Sequence, residues 1–424
     1  MLNPRKIAVN ILTKIERDNA YSNLALKDFL KDAELSKEDT GFVSALVYGV
    51  LDRRITLDYI LSRFMKTPLK KTAPFTLNVL RTALYQIMYM DKIPESAAVN
   101  EAVKLIKKSK ESRNAGFVNA VLRSALRENT ELPKDDSVKS LSIRYSAPEW
   151  LVESFLNDYG LQNTVALLEE SLKAAPVCLR VNNVKTDKES LLAELGKLDI
   201  AAISGEPKNS LLLEKGTDIG ANALFKKGLF HVEDLASQTA LSVLELKKGE
   251  RVLDMCAAPG GKSFTMAEML ENSGEVVSAD LYEQRVELIK NGAKRLGLVS
   301  IKPIVADATV YDSSLGEFDA ILCDVPCSGL GVIRRKPDIK YKPQTDYKEL
   351  QDIQYKILTN AVKYLKKGGR ILYSTCTLRQ NENENLVNRF IKEYNTFYKA
   401  EEKTLMPHIN NTDGFYYALL KTED

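Results

Sequence analysis

Two of the five cysteines close short polar motifs, Asp324-Val325-Pro326-Cys327 and Tyr373-Ser374-Thr375-Cys376. Upstream of both lies a glycine-rich loop, Asp254-Met255-Cys256-Ala257-Ala258-Pro259-Gly260-Gly261-Lys262. Together they point to an enzyme that attacks an electron-poor ring with a thiolate and then methylates it. Carbon 5 of cytosine is a poor nucleophile, but a thiolate added to carbon 6 turns the ring into an enamine that can take a methyl group. The product still carries a proton on carbon 5, which a base must remove before the thiol leaves. Such chemistry needs a nucleophilic cysteine, a proton donor at ring N3, a base and a methyl donor. Cys327, Cys376 and Asp324 are the candidates for the first three.

The glycine loop follows an expected strand and opens an expected helix near Ser263. Pro259 and the two glycines suit a tight turn that approaches a ligand closely, and free N–H groups at a helix start favour an anionic group. Asp280, ending the next strand, can accept hydrogen bonds from ribose hydroxyls. Asp307 ends the third and could meet an adenine amino group. A phosphate loop would need a glycine where Cys256 stands, and no G-x-G-x-x-G occurs. S-adenosylmethionine remains as the ligand, with a glycine turn in an unrelated α/β protein as the plain alternative. Amino-group methyltransferases usually show Asp/Asn-Pro-Pro-Tyr where Asp324–Cys327 stands; the cysteine argues for carbon methylation.

Cysteine is often only a small buried hydrophobe, and that reading covers Cys178, Cys323 and Cys256. The C-x3-C spacing of Cys323 and Cys327 is not usual for zinc, and the only histidines, His231 and His408, are remote in sequence, so no metal site is expected.

Alternating strands and helices must position these residues. Expected strands are Arg251–Asp254, Val276–Asp280, Lys302–Val305, Phe318–Cys323, Arg370–Ser374 and Phe415–Leu420. Helices are expected at Ser263–Leu270, Glu283–Leu296 and Gln351–Leu365. The alternation implies a parallel sheet covered on both faces, with ligands beyond the carboxyl ends of its strands. Residues 1 to about 130 read as helices throughout, through stripes such as Ile7, Ala8, Ile11, Leu12 and Ile15, or Phe42, Ala45, Leu46, Gly49 and Val50. A polar stretch, Glu128–Asp136, reads as a linker. Between linker and sheet, strands Val177–Val181 and Ser210–Leu213 flank a helix at Lys188–Leu198.

A chain of 424 residues with 44% apolar content should fold into two or three domains. No stretch reaches the ~20 apolar residues of a membrane span, no secretory signal is seen, and unevenly spaced cysteines do not make a disulfide framework, so a cytoplasmic protein with reduced thiols is expected. Net charge is only +3, yet residues 1–140 carry about +7. Much of the excess lies between Lys66 and Arg127, including Lys104, Lys107, Lys108, Lys110 and Arg113, a cluster able to neutralise phosphate, or a merely solvated face. Arg334-Arg335-Lys336-Pro337 is open to the same two readings.

At Ala257–Lys262, Asp324–Gly329 and Ser374–Thr377 the chain resembles the RNA cytosine-C5 methyltransferases of the RsmB/NOP/NSUN family, and within them the bacterial small-subunit (16S) rRNA type, over essentially its whole length. Phe230–Gln238 resembles the family's lead-in to the catalytic domain, with Glu233 where glutamine is expected. The resemblance implies an α/β class I (Rossmann-like) methyltransferase domain over 226–424. It also implies an all-α NusB-like RNA-binding domain over 1–135 and a small α/β subdomain over 145–225. Cys376 would be the nucleophile, Cys327 would assist proton removal and release, and Asp324 would hydrogen-bond N3. S-adenosyl-L-methionine would be held by Cys256, Ala257, Ala258, Pro259, Gly260, Gly261, Lys262, Asp280, Arg285, Asp307 and Asp324. The implied partner is small-subunit rRNA, with no membrane and no obligate protein partner for a monomer. A tRNA cytosine-C5 methyltransferase and a non-catalytic NusB-like RNA-binding or assembly factor are the competing readings.

Overall fold

The computed structural model describes residues 3–31, 33–128, 130–214, 218–342 and 347–423. The chain forms two compact units, Met1–Lys173 with Ile333–Pro343, and Ala174–Val332 with Gln344–Asp424.

Unit 1 is helical: α1 (Pro4–Asp18), α2 (Ser22–Lys31), α3 (Lys37–Phe64), α4 (Pro74–Tyr89), α5 (Glu95–Lys107), α6 (Ala115–Arg127), α7 (Val138–Tyr145) and α8 (Glu149–Glu170). Asn3 caps α1 by accepting from the Arg5 and Lys6 amides, and Pro74 takes the first position of α4, where a missing N–H costs nothing. The expected stripes are the core: Ile7, Ala8, Ile11, Leu12, Ile15, Leu46, Val50, Val118, Val121 and Leu122 are buried together. Gly49 belongs to its stripe because the Tyr85 ring occupies the space a side chain would need; a Cβ there would lie 2.0 Å from Cζ. Arg81 is buried and paired with Asp58 and Glu16, each at 2.6 Å.

The chain leaves unit 2 after Val332 and packs into unit 1 over Ile333–Pro343. There Lys340 Nζ donates to the Asp52 carbonyl (3.1 Å), the Tyr341 hydroxyl donates to the Leu51 carbonyl (2.9 Å), and Ser22 bonds Asp338. Burial lowers the Lys340 pKa to about 8 and raises that of Asp52 to about 6. The basic run read as a phosphate contact or an exposed turn is neither throughout: Arg334 is buried, while Lys336 is exposed.

Unit 2 contains two sheets. The smaller has the order β2 (Ala202–Gly205), β3 (Ser210–Leu213), β1 (Val177–Val181), β4 (Phe230–Val232), all antiparallel, with α9 (Lys188–Gly196) and α10 (Ala223–Lys226) between its strands in sequence. Its fourth strand lies beyond residue 225. The larger sheet contains β5 (Arg251–Asp254), β6 (Glu275–Asp280), β7 (Ile301–Val305), β8 (Phe318–Asp324), β9 (Leu365–Thr375), β10 (Phe397–Leu405) and β11 (Phe415–Thr422), in the order β10-β11-β9-β8-β5-β6-β7. The intervening helices are α11 (Leu235–Ser242), α12 (Gly261–Met269), α13 (Glu283–Leu296), α14 (Tyr347–Ala361), α15 (Glu384–Glu393) and α16 (Pro407–Asn410). Apolar clusters form around the sheet, one including Phe264 and Ile289 with β5, the other Ile357 and Phe390 with β9.

The sheet is mixed rather than wholly parallel. The five strands from β9 to β7 are parallel, but β11 runs antiparallel to β9 and β10 antiparallel to β11. Only the short α16 separates β10 from β11, too little chain for the crossover that a parallel pair needs. Among the described residues no helix is long and apolar enough to cross a membrane.

Candidate active site

Parallel strands end in register, and that register gathers the site. Asp254 pairs with Leu322, Asp280 with Val305, and Asp324 with Ser374. The loops leaving these carboxyl ends enclose a cavity of about 400 Å³. Cys256, Ala258, Asp280, Arg285, Asp307, Asp324, Cys327 and Cys376 line it, so eight of the expected site residues meet there. Ala257, Pro259, Gly260, Gly261 and Lys262 are not lining residues; they shape the loop. Leu281, Tyr282, Ile353 and Ile357 add apolar wall that the sequence reading did not name. Leu281 and Tyr282 could have been found, being large hydrophobics placed directly after a strand-ending acid.

The glycine loop is held at both ends. The Met255 amide donates to the Leu322 carbonyl and the Ala257 amide to the Ala279 carbonyl. Gly260 has φ +113°, and a Cβ on it would meet Phe264 Cζ at 2.4 Å. Gly261 has no such need, since its nearest neighbour would be Glu233 Oε1 at 3.8 Å. Asp280 accepts the Ala258 and Tyr282 amides, each at 3.2 Å. Arg285 donates to the Ala258 carbonyl at 2.9 Å and lies 3.4 Å from Asp280, tying loop to strand. Asp307 accepts the Thr309 amide and hydroxyl at 2.8 and 2.7 Å.

At the other end of the cavity Cys327 Sγ lies 3.1 Å from Cys376 Sγ, both as free thiols. The hydrogen bond with Cys376, and then burial, raise the Cys327 thiol well above its ordinary pKa. Lys262 reaches this end: its Nζ is 2.8 Å from Asp324 Oδ2, and the Ser374 hydroxyl donates to Oδ1 at 2.8 Å. Burial works against the Lys262 charge, but Asp324, Glu233 and Cys376 together raise its pKa. Cys178 and Cys323 are buried as expected, whereas Cys256 is half-buried and faces the cavity, its thiol pushed up mainly by burial.

Beneath the loop lies a buried polar network. His231 stands between Glu268 (3.5 Å) and Glu233 (3.7 Å), Arg180 pairs with Glu268 at 3.1 Å, and the Thr265 hydroxyl donates to Glu233 at 2.5 Å. Although burial opposes the charge, Glu268 and Glu233 raise the His231 pKa to about 9. Among the described residues no cluster of His, Cys, Asp or Glu is arranged to hold a metal ion.

Residues 2–127 match the NusB family, residues 147–220 the ferredoxin-like domain of RsmF/B-like methyltransferases, and residues 241–421 the 16S rRNA methyltransferases RsmB/F. The chain is 39% identical to the probable ribosomal RNA small subunit methyltransferase B of Bacillus subtilis, over 98% of each chain. It is 32% identical to ribosomal RNA small subunit methyltransferase B of Shewanella oneidensis, over 99% of each. Among solved structures it is similar to PH0851, with TM-score 0.83 and 24% identity over 100% of this chain and 99% of that one. A methyltransferase homologue from Pyrococcus horikoshii covers 68% of this chain and 100% of its own, with TM-score 0.60 and 25% identity. The small antiparallel sheet, the methyltransferase sheet and the helical N-terminal region thus each have a counterpart, and the chain belongs to the RsmB/F family of 16S rRNA methyltransferases, in its NusB-bearing form.

Proposed function

We propose that this chain methylates carbon 5 of a cytosine in small-subunit rRNA, using S-adenosylmethionine and a covalent bond from Cys376 to carbon 6. The observation that carries the reading is the pair of free sulfurs 3.1 Å apart, in one cavity with Asp324, Asp280 and Asp307. A single nucleophile would explain one cysteine; a mechanism that must both add and release a thiol explains two.

The cavity suits the methyl donor. Asp280 is buried and meets two backbone amides and Arg285, which leaves carboxylate lone pairs that can accept from ribose hydroxyls. Leu281, Tyr282, Ile353 and Ile357 offer apolar surface for a purine, with Asp307 beside it. When bound, S-adenosylmethionine supplies an electrophilic methyl group. The chain does the rest. The Cys376 thiolate adds to carbon 6, and a proton shared between Asp324 and N3 neutralises the ring as its electron density rises. After methylation carbon 5 gives its proton to a base on the Cys327 side, the electron pair restores the C5–C6 double bond, and Cys376 departs as thiolate. Lys262, facing both Asp324 and Cys376, supplies positive charge that favours the thiolate.

The region 1–135 is the RNA-binding part of this proposal, 145–225 an accessory subdomain and 226–424 the catalytic part. Lys66, Lys104, Lys107, Lys108, Lys110 and Arg113 are all exposed in unit 1, as phosphate contacts must be. The base must leave its stack to reach a cavity of this kind, so unpaired RNA is the expected target.

The test is methyl transfer from labelled S-adenosylmethionine to unmodified small-subunit rRNA, with mapping of the modified base. A single 5-methylcytosine is expected. Cys376→Ala should abolish transfer while cofactor binding survives, and Cys327→Ala should accumulate a covalent protein–RNA adduct. Label found only on tRNA would overturn the substrate, and near-normal turnover by Cys376→Ala would overturn the mechanism.

A further inference from the structure

Two adjacent buried residues outside the cavity each grip one of the cysteine loops. Glu382 ends a short 3-10 turn (Gln380–Glu382), and Asn383 precedes α15. Both are fully buried. Glu382 Oε1 accepts the Ser328 hydroxyl at 2.5 Å, and Oε2 accepts the Ser328 amide and Gln354 Nε2, each at 2.9 Å. Gln354 Nε2 also donates to the Pro326 carbonyl at 2.9 Å. The residues on both sides of Cys327 are thereby fixed. Asn383 Oδ1 accepts the Thr375 hydroxyl at 2.6 Å, and its Nδ2 donates to the Thr377 carbonyl at 3.0 Å. The residues on both sides of Cys376 are fixed in the same way. One further bond, Ser328 Oγ to Thr377 Oγ1 at 2.7 Å, joins the two loops.

We propose that Glu382 and Asn383 are positioning residues, each chiefly setting one of the two sulfurs, Asn383 for addition of Cys376 and Glu382 for release through Cys327. The inference rests on the two-cysteine reading above. The buried carboxylate is compensated by three hydrogen bonds and by Arg379 at 3.8 Å, and the assembly of so many polar partners around one loop is explained if a displaced Cys327 halts release. Neither residue touches the cavity, so neither should alter cofactor affinity. Misplacing a reacting atom by about 1 Å can cost of order 100-fold in rate. The two substitutions should therefore slow turnover similarly and stall it at opposite ends of the covalent step.

The experiment uses the full chain with unmodified small-subunit rRNA and labelled S-adenosylmethionine. It reads turnover, cofactor affinity and the fraction of protein held as a denaturant-resistant RNA adduct. Glu382→Gln keeps the shape and loses the charge; it should cut turnover roughly 10- to 100-fold while the adduct fraction rises above that of the unsubstituted protein. Asn383→Ala should cut turnover comparably with the adduct fraction falling. Because a buried substitution can unfold a loop, Ser328→Ala and Thr375→Val remove single members of each grip and should show the same opposed adduct signatures, more weakly. Equal adduct fractions in the two sets, or unchanged turnover in both, would overturn the proposal. Absence of any adduct in Cys327→Ala, with no 5-methylcytosine formed by the unsubstituted protein, would instead defeat the underlying reading.

Discussion

The sharpest prediction concerns Gly331, which lies outside every motif. Its amide donates to the Cys376 carbonyl at 3.0 Å, and its own carbonyl accepts the Gly414 amide at 2.9 Å. A Cβ built on Gly331 would fall 1.9 Å from the Gly414 carbonyl oxygen and 2.8 Å from that of Cys376. Ordinary contact needs well over 3 Å, so Gly331→Ala must push one backbone away from another by more than 1 Å. Overpacking of this kind costs about 1–3 kcal/mol, and a strained or lost backbone hydrogen bond adds about 1 kcal/mol. Destabilisation of roughly 2–4 kcal/mol should lower Tm by about 5–10 °C. The larger displacement falls on Gly414, but the Cys376 carbonyl oxygen also lies inside contact distance and is hydrogen-bonded to the Gly331 amide, so methyl transfer should fall roughly tenfold at temperatures where the variant is folded. Thermal unfolding and a single-turnover methyl-transfer assay check the two halves. A folded Gly331→Ala variant with turnover within threefold of the original would refute the claim that this backbone contact seats Cys376.

Other consequences follow from neighbouring observations. Gly260→Ala should weaken S-adenosylmethionine binding at least tenfold, because its φ of +113° and the Phe264 ring leave no place for a methyl group, whereas Gly261→Ala should bind normally by calorimetry. Asp280→Asn should lower cofactor affinity by about 10- to 100-fold, the worth of a charge-assisted hydrogen-bond pair, and should also lower Tm, because one of the two backbone amides it accepts loses its acceptor. His231 has a folded-state pKa raised from 6.5 to about 9, so its stabilising contribution is complete below pH 6.5 and is lost as pH rises through 9. At about 1.4 kcal/mol per tenfold, the stability gap between the original protein and His231→Gln should narrow by roughly 3 kcal/mol between pH 6 and pH 10, and a gap constant with pH would refute it.

Much of the site was legible because apolar runs and turn residues are local signals. Six strands of the large sheet and the cysteine, glycine and acidic positions at their ends could be placed from pattern alone. What escaped was non-local or polar. The edge strand β10 reads Phe-Tyr-Lys-Ala-Glu-Glu-Lys-Thr-Leu and buries only its ends; backbone pairing with β11 holds it, along with Tyr416 and Tyr417 donating to Glu402 and Glu401. Nothing in such a sequence alternates. The direction of β11 was also missed, since strand composition does not encode polarity. Arg334 to Pro337 looked like a basic surface turn, yet the segment continues into unit 1, where Lys340 meets Asp52, far away in sequence. Glu382 and Asn383 resembled ordinary turn residues, because a polar side chain buried by its partners carries no mark of burial in its own type.

Two carboxyl groups at neighbouring strand ends show how the fold separates scaffold from chemistry. Asp254 and Asp324 end adjacent strands, and one cannot be charged without cost to the other. Asp254 is buried, accepts the Ser263 hydroxyl at 2.6 Å, and is raised to about 7, first by burial and then by Asp324. Its second oxygen is buried without a hydrogen-bond partner among the described residues. It does not line the cavity. Asp324 does, and it has Lys262 as counter-charge and Ser374 as donor. Environment thus divides two identical side chains into a buried brace for the glycine loop and a carboxyl that faces the cavity. Asp254→Asn should accordingly be mild, since an amide oxygen can still accept from Ser263. Asp324→Asn should abolish methyl transfer, because an amide cannot share a proton with N3 and leaves Lys262 without its partner. Comparable losses in both variants, measured by methyl transfer with folding intact, would show that the division of roles is wrong.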